Sequence, residues 1–423
     1  MEIRSEPGEE KRVHRAGGMF RALSHRNFRL FWIGAFLSNV GTWMQAVAQA
    51  LLMYNLTHSA FLLGLDGFMA TAPGLVLVLA GGVFADLVDR KKLLIYTQIG
   101  AGAAALLLGT LVLTNVVQWW MILCLSFITG CCMSLAGPSY QALTIDLVGR
   151  EDLTNAIALN STQFQFSRVV GPALAGIGLS LFGVAGCFFL NGFSFIAIVV
   201  ALSMVRFDDK EDARWQHPVK DRRALWQDLI NGFRYVWTRR RVFMLLLISA
   251  VTSLFGAPYF TLIPVFARDV LHVGDTGVAL LMGAAGGGAF CGALVLTFLG
   301  DFRRKGWSVI GGAFLFGLFI IGFSFSESMT LSLAALFGSG FAIVFSVAVV
   351  NTLLQKLVTD EMRGRVMSMF ILSFIGALPF GNLMAGAASH RFGAPHTLAV
   401  GGLIVSLFVA VLGWRSERLR ELS

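Results

Sequence analysis

Residues 81–92 read Gly81-Gly82-Val83-Phe84-Ala85-Asp86-Leu87-Val88-Asp89-Arg90-Lys91-Lys92. An apolar run from 61 to 84 leads into this charged knot, and a second from 93 to 113 leads out of it. Each has about the 20 residues that a helix needs to cross a hydrocarbon core about 30 Å thick. Greasy, briefly charged, then greasy again is the pattern of two membrane helices and the turn that joins them. Its three consecutive cations assign the turn to the cytoplasmic face, where lysine and arginine are retained.

Outward from that turn the alternation continues along the whole chain. The spacing predicts spans at 28–54, 61–84, 93–113, 117–140, 155–182, 184–205, 242–266, 276–299, 307–325, 329–354, 362–386 and 395–414, an all-α membrane fold of twelve transmembrane helices. Composition agrees, with 56% of the 423 residues hydrophobic and 13% charged, against roughly 25% charged in an ordinary soluble domain. The formal charge of +9 does not signal nucleic acid, because the cations follow the turns. With both termini in the cytoplasm, the basic groups of the arm 1–27, of the 90–92 turn, of Arg150, of 206–241, of 303–305, of Lys356, Arg363 and Arg365 and of the tail 415–423 share one side. Arg268 and Arg391 fall opposite, and Arg168 falls within a span; an odd number of spans would destroy this asymmetry. The arm has no short apolar core before a small-residue site, so no removable signal peptide is expected.

The one long connection, 206–241, starts acidic and ends in a basic, aromatic segment around Trp226, Phe233, Tyr235 and Trp237. It is expected to be a cytoplasmic linker closing in an amphipathic helix on the membrane surface. Six spans precede it (28–205) and six follow it (242–414), and the halves resemble one another. Asp86 with its cations answers Asp301 with Arg303, Arg304 and Lys305; Leu147, Val148, Glu151, Gly171, Ala175 and Gly176 recur at one constant offset as Leu357, Val358, Glu361, Gly381, Ala385 and Gly386. Two six-helix bundles with a site between them near the midplane are the organisation of a parallel-repeat transporter.

The knot at 81–92 resembles the signature of the major facilitator superfamily between helices two and three, a glycine, three residues, an aspartate and a basic cluster. Gly82, Asp86 and the trailing cations from Arg90 onward fit it, while Leu87 and Asp89 depart from it. The resemblance implies that Asp86 caps the start of helix eleven, near Arg363, and latches the cytoplasmic side in one state; Asp301 holds the matching position in the second half. A carboxylate lying among lipid-anchoring cations is the alternative. In span five, Gly171, Pro172 and Gly176 fit the glycine-proline motif of the superfamily's exporters, with Ser167 and Ala175 where glycines are usual. The proline removes a backbone donor, and span eight offers small residues at four-residue spacing (Gly283, Ala284, Gly287, Gly288, Gly292) for close packing; plain packing explains the same residues. With Phe28–Trp32, Gly41–Gln45, Asn155–Ser161 and Arg363–Ser368, the chain resembles, from about residue 20 to 414, the branch of bacterial enterobactin exporters and macrolide-efflux proteins. That resemblance implies export of a small molecule by alternating access driven by proton entry, in the bacterial cytoplasmic (inner) membrane.

Polar groups inside spans are the candidates for transport. Asn39, Thr42, Gln45 and Gln49 recur every three or four residues and share one face of span one; substrate contact and interhelical hydrogen bonding are both open to them. The superfamily's cavity is lined by helices one, four, seven and ten, which adds Gln141, Tyr259 and Asn351. Arg168 lies deepest by position, and an anionic substrate group, a proton site and a structural ion pair are its possible uses. Asp66 is the carboxylate clearly inside a span, either a proton carrier or an interfacial residue.

Cys124, Cys131, Cys132, Cys187 and Cys291 lie in apolar runs and read as packing residues. The histidines show no metal-ligand spacing, and no Gly-Lys-Ser/Thr phosphate loop is present, so neither cofactor nor nucleotide drive is expected. No nucleophile, base and orienting group converge as in an enzyme. A monomer with lipid, a small substrate and the proton as partners is expected. A lipid or lysolipid flippase on the same fold, and a membrane sensor that transports nothing, are the competing readings.

Overall fold

Helix is the regular structure throughout the described residues, as lipid requires of a chain that must satisfy its own backbone. The computed structural model describes residues 20–77, 89–205, 231–300, 302–420 and 422. Gly82, Asp86 and Asp301, most of the 1–27 arm and most of the linker lie outside the described residues.

The helices are α1 (Arg26–Thr57), α2 (Ala60–Thr71, continuing to Leu77) and α3 (Arg90–Leu113). A continuous helical assignment over Trp119–Met204 is divided by Gly149 (φ 70°) and Gly183 (φ 66°) into α4 (119–148), α5 (150–182) and α6 (184–204). These are reversals. The Asn160 amide donates to the Thr144 hydroxyl at 3.2 Å, whereas sixteen residues of straight helix span about 24 Å. Similarly, a Cβ on Gly178 would sit 3.2 Å from the Cys187 sulfur. There follow α7 (Arg240–Val270, with two π-helical turns), α8 (Asp275–Leu299), α9 (Lys305–Ser324), α10 (Met329–Leu357), α11 (Asp360–Phe392) and α12 (Ala394–Arg415).

Among the described residues nine helical stretches are long and apolar enough to cross a membrane, with 119–204 taken as one. The 32-residue α1 is long enough but less apolar, diluted by its polar stripe and by Arg26 and Arg29. Outward faces are apolar, with Phe193, Leu403 and Phe298 among the large exposed side chains. Surface of that kind in such extent has lipid as its solvent.

Several expected boundaries move. α4 continues from 140 to 148, α5 begins at 150 and not 155, and α11 covers 360–392. The turns added to α4 bury Leu143, Leu147 and Val148 against α1 and α3, so packing carries the helix past the lipid-length run. In the linker, residues 231–238 are helical, with Val236 buried and Phe233 and Trp237 exposed and stacked. This piece is seated on α11, where a Cβ on Gly232 would lie 3.3 Å from the Arg365 Cβ.

The core is single at one end of the bundle and split at the other. At the end bearing Arg26, Arg90 and Gly149, one apolar cluster joins α1 and α3 through α6, and a separate one joins α7 and α9 through α12. At the end bearing His58 and Gly183, a single cluster runs from Met44 and Leu63 through Phe266 and Ala285 to Leu398. The two halves therefore share a core at the His58 end only.

Candidate transport site

Glycines set how closely the helices at this seam approach. In the first half a Cβ on Gly171 would lie 2.4 Å from the Trp43 Cβ, so α5 leans on α1 there. Across the halves, a Cβ on Gly286 of α8 would lie 2.0 Å from the Arg168 carbonyl oxygen of α5, and one on Gly64 of α2 would lie 2.8 Å from the Gly386 Cα of α11. The sequence expectation needs correction at this point. Gly171 serves α1 rather than α8, and Gly288 and Gly292 face Phe337 and Phe341 of α10. Pro172 does meet α8, at Gly283, and Gly176 meets it at Ala279 and Thr276. α8 has two small-residue faces because it is packed between two helices.

Within the first half, Asp66 is buried and both of its carboxylate oxygens are engaged. The Ser126 hydroxyl of α4 donates to one, and the Gln49 amide of α1 donates to the other at 2.9 Å and to Ser126 at 2.8 Å. Gln45 donates to Gln49 at 3.3 Å, and Asn191 of α6 donates to Gln45 at 2.6 Å. One chain of hydrogen bonds thus ties α2, α4, α1 and α6 together, and Asp66 is its ionisable member. Asp66 lies six residues into α2, and α1 and α4 cover its carboxylate. Gln45 and Gln49 spend their hydrogen bonds on neighbouring helices.

Arg168 stands apart from that network. Its guanidinium carbon is 5.0 Å from the centre of the Trp43 ring, and its Nε is buried with no hydrogen-bond partner. The Tyr259 hydroxyl of α7 lies within electrostatic reach of it. Trp43 in turn meets Phe164 and, across the halves, Phe260, edge to face at 6.1 and 5.8 Å. No carboxylate among the described residues pairs with Arg168. A cation at mid-span costs about 2.5–3.5 kcal/mol on insertion scales, and a cation–π contact returns about 2 kcal/mol when desolvated.

At the His58 end the halves are tied by polar contacts. The Tyr54 hydroxyl donates to Asp269, Arg268 donates to Asn55 at 3.2 Å, and Arg268 is paired with Asp275. At the other end, Arg90 is 3.4 Å from Asp146 and Arg363 is 2.5 Å from Asp360 on its own helix. Asn39 is part-buried on α1, and Gln141 is exposed on α4. Asn351 accepts a hydrogen bond from Gln355 one turn on. Gln141 and Asn351 join neither group.

Ser126, Asn191, Trp43 and Asp269 went unread as site residues. Only Asn191, an amide inside an apolar span, carries a signal that sequence could have supplied. The pairing of the others is set by which helices become neighbours.

Two bundles of antiparallel helices that meet through glycines and keep a few polar side chains between them are what a transporter requires. Residues 17–422 match the family described as transmembrane secretion effectors. The chain belongs to that family of the major facilitator superfamily. It is 25% identical over 404 residues to the staphyloferrin A transporter of Staphylococcus aureus, covering 93% of this chain and 97% of that one. It is 27% identical over 410 residues to the enterobactin exporter EntS of Citrobacter koseri, covering 94% of each. A solved POT family transporter in complex with a thioalcohol conjugated peptide superposes with a TM-score of 0.73 at 11% identity, over 93% of this chain and 96% of that one, which shows the fold alone. The chain is therefore a multi-pass membrane transporter of the superfamily's efflux branch, not an enzyme.

Proposed function

We propose that this transporter exports small lipophilic or amphiphilic molecules by alternating access, with proton entry as the energy source. The observation that carries the reading is the core that is shared at the His58 end and divided at the end bearing Arg90. Two separately packed bundles in contact at one end can rock about the seam, opening the central groups to one side of the membrane at a time. The excess of Arg and Lys at the divided end makes that end cytoplasmic, with both termini there, twelve crossings and a cytoplasmic linker over 206–241. A bacterial inner membrane is the matching location, and a monomer suffices because the whole path lies within one chain.

Asp66 is the proton carrier in this reading. Gly64 and Gly67, which flank it in sequence, touch Gly386 and Asn382 of the opposite half. A change of charge at Asp66 is therefore felt where the halves meet. Export is also what the names of the relatives suggest, which include an enterobactin exporter and a macrolide efflux protein.

The test is a growth-inhibition panel of lipophilic antibiotics and siderophores in cells with and without expression, repeated with a proton uncoupler. Protection that disappears with the uncoupler and in Asp66→Asn is expected. Protection that survives the uncoupler removes the proposed energy source.

A further inference from the structure

Arg168 has an aromatic partner for its face and no acceptor for its hydrogen-bond donors. A ring lying over the face of a guanidinium stabilises its charge without neutralising it, and the five N–H donors point outward in the plane and receive nothing from that ring. Trp43 occupies the face, and no protein acceptor reaches the edge among the described residues. Asp66, the buried carboxylate of α2, has both oxygens bonded to Ser126 and Gln49. What a planar fork of donors in a low-dielectric site selects is an oxyanion with two coplanar oxygens.

The surroundings narrow the class. Trp43, Phe164 and Phe260 supply an aromatic wall made from α1, α5 and α7. Tyr259, next to Phe260, brings a hydroxyl from the opposite half to within electrostatic reach of the guanidinium. We infer that Arg168, Trp43 and Tyr259 form the recognition site for an organic oxyanion, a carboxylate carried on an aromatic body. The anion lies against the in-plane edge of Arg168 and takes a hydrogen bond from Tyr259, so cargo bridges the halves. Cationic cargo meets an uncompensated positive charge in the same place and is refused. The inference rests on the proposed central site between the halves and adds the charge of the cargo to it.

The purified protein in lipid nanodiscs, with no gradient, is titrated with three probes of one shape: 2-naphthoate, 2-naphthamide and 2-naphthylmethylammonium. The naphthoate is expected to bind at least about ten-fold more tightly than the other two, as a charge-assisted hydrogen bond would give. Arg168→Gln should bring all three within about three-fold of one another, and Tyr259→Phe should weaken naphthoate alone. Arg168→Lys keeps the charge but not the planar fork, and should retain part of the preference. Arg168→Gln removes an unpaired cation from the bundle interior, a change that favours folding. No detectable naphthoate binding, equal binding of the three probes, or a preference that survives Arg168→Gln overturns the inference. Because no proton gradient enters this measurement, a preference for naphthoate beside uncoupler-resistant efflux would count against the energy source and leave the oxyanion site standing.

Discussion

Gly64 of α2 and Gly386 of α11 face each other across the two halves so closely that a Cβ on either would lie 2.8 Å from the Cα of the other. Small residues in this position replace the hydrophobic drive that is missing between helices in lipid, because backbones can then gain dispersion contacts directly. A larger side chain at either glycine must wedge the halves apart at the end where they share a core. Gly64→Val and Gly386→Val are expected to lower initial transport rates by at least about ten-fold in vesicles, since overpacking forces backbone shifts. Each bundle keeps its own core at the Arg90 end, so the amount of protein in the membrane should stay near wild type by immunoblot; equal loss of both quantities would make the contact merely structural.

Asp66 and the amides attached to it should separate in their effects. An interhelical hydrogen bond in a membrane protein averages about 0.6 kcal/mol with a maximum of about 1.7. Asn191→Ala, which removes the donor to Gln45, should therefore lower stability by that order while transport persists. Asp66→Asn keeps the shape and can still bond Gln49 and Ser126 in part, so its thermal midpoint should move little while proton-driven efflux is lost. Asp66→Glu, retaining the ionisable group, should restore part of the efflux. Full efflux in Asp66→Asn would refute the carrier role.

Asn55 and Arg268 report on the His58 end. Their side chains are in hydrogen-bond contact at 3.2 Å between α1 and α7, so Asn55→Cys with Arg268→Cys should be joined by a flexible bis-methanethiosulfonate cross-linker and block transport, with recovery on reduction. A pair that links without slowing transport would mean that this end does not open. Tyr54→Phe removes the bond to Asp269 and should speed opening of the same end, measured as faster labelling of a cysteine at position 58.

Much of the architecture was legible in the sequence because lipid imposes few solutions. Apolar runs of one length, with cations between them, order the helices without help from tertiary packing. The repeat linking Gly171 to Gly381 was visible for the same reason, since both are small residues at equivalent places in their runs. The partners of those glycines were not visible. Gly171 answers Trp43 on α1 and Gly381 answers Leu254 and Pro258 on α7, and four-residue spacing alone does not say which neighbour a small face meets. Arg168 stood out as a buried cation, but its aromatic partner did not, because the approach of Trp43 depends on the missing side chain at Gly171. Likewise the burial of Asp66 was not visible, because it is decided by the covering of α1 and α4.

Gly183, with φ 66° and ψ −171°, occupies a backbone region open almost only to glycine. Nothing lies within 4 Å of where its Cβ would be. The conformation alone should then make Gly183→Ala cost about 1–3 kcal/mol, read as a lower thermal midpoint in detergent, with Gly149→Ala behaving alike. Unchanged midpoints would show that the turns relax freely.

Those two turns have a mechanical meaning. Helical backbone runs up to each glycine and resumes directly after it, so the joints of α4, α5 and α6 contain no spare chain to take up movement. If α5 changes its inclination, its neighbours must follow, and 119–204 travels as a three-rod lever. Arg168 rides near the middle of that lever, so anything that grips its guanidinium pulls on three of the first bundle's six helices at once.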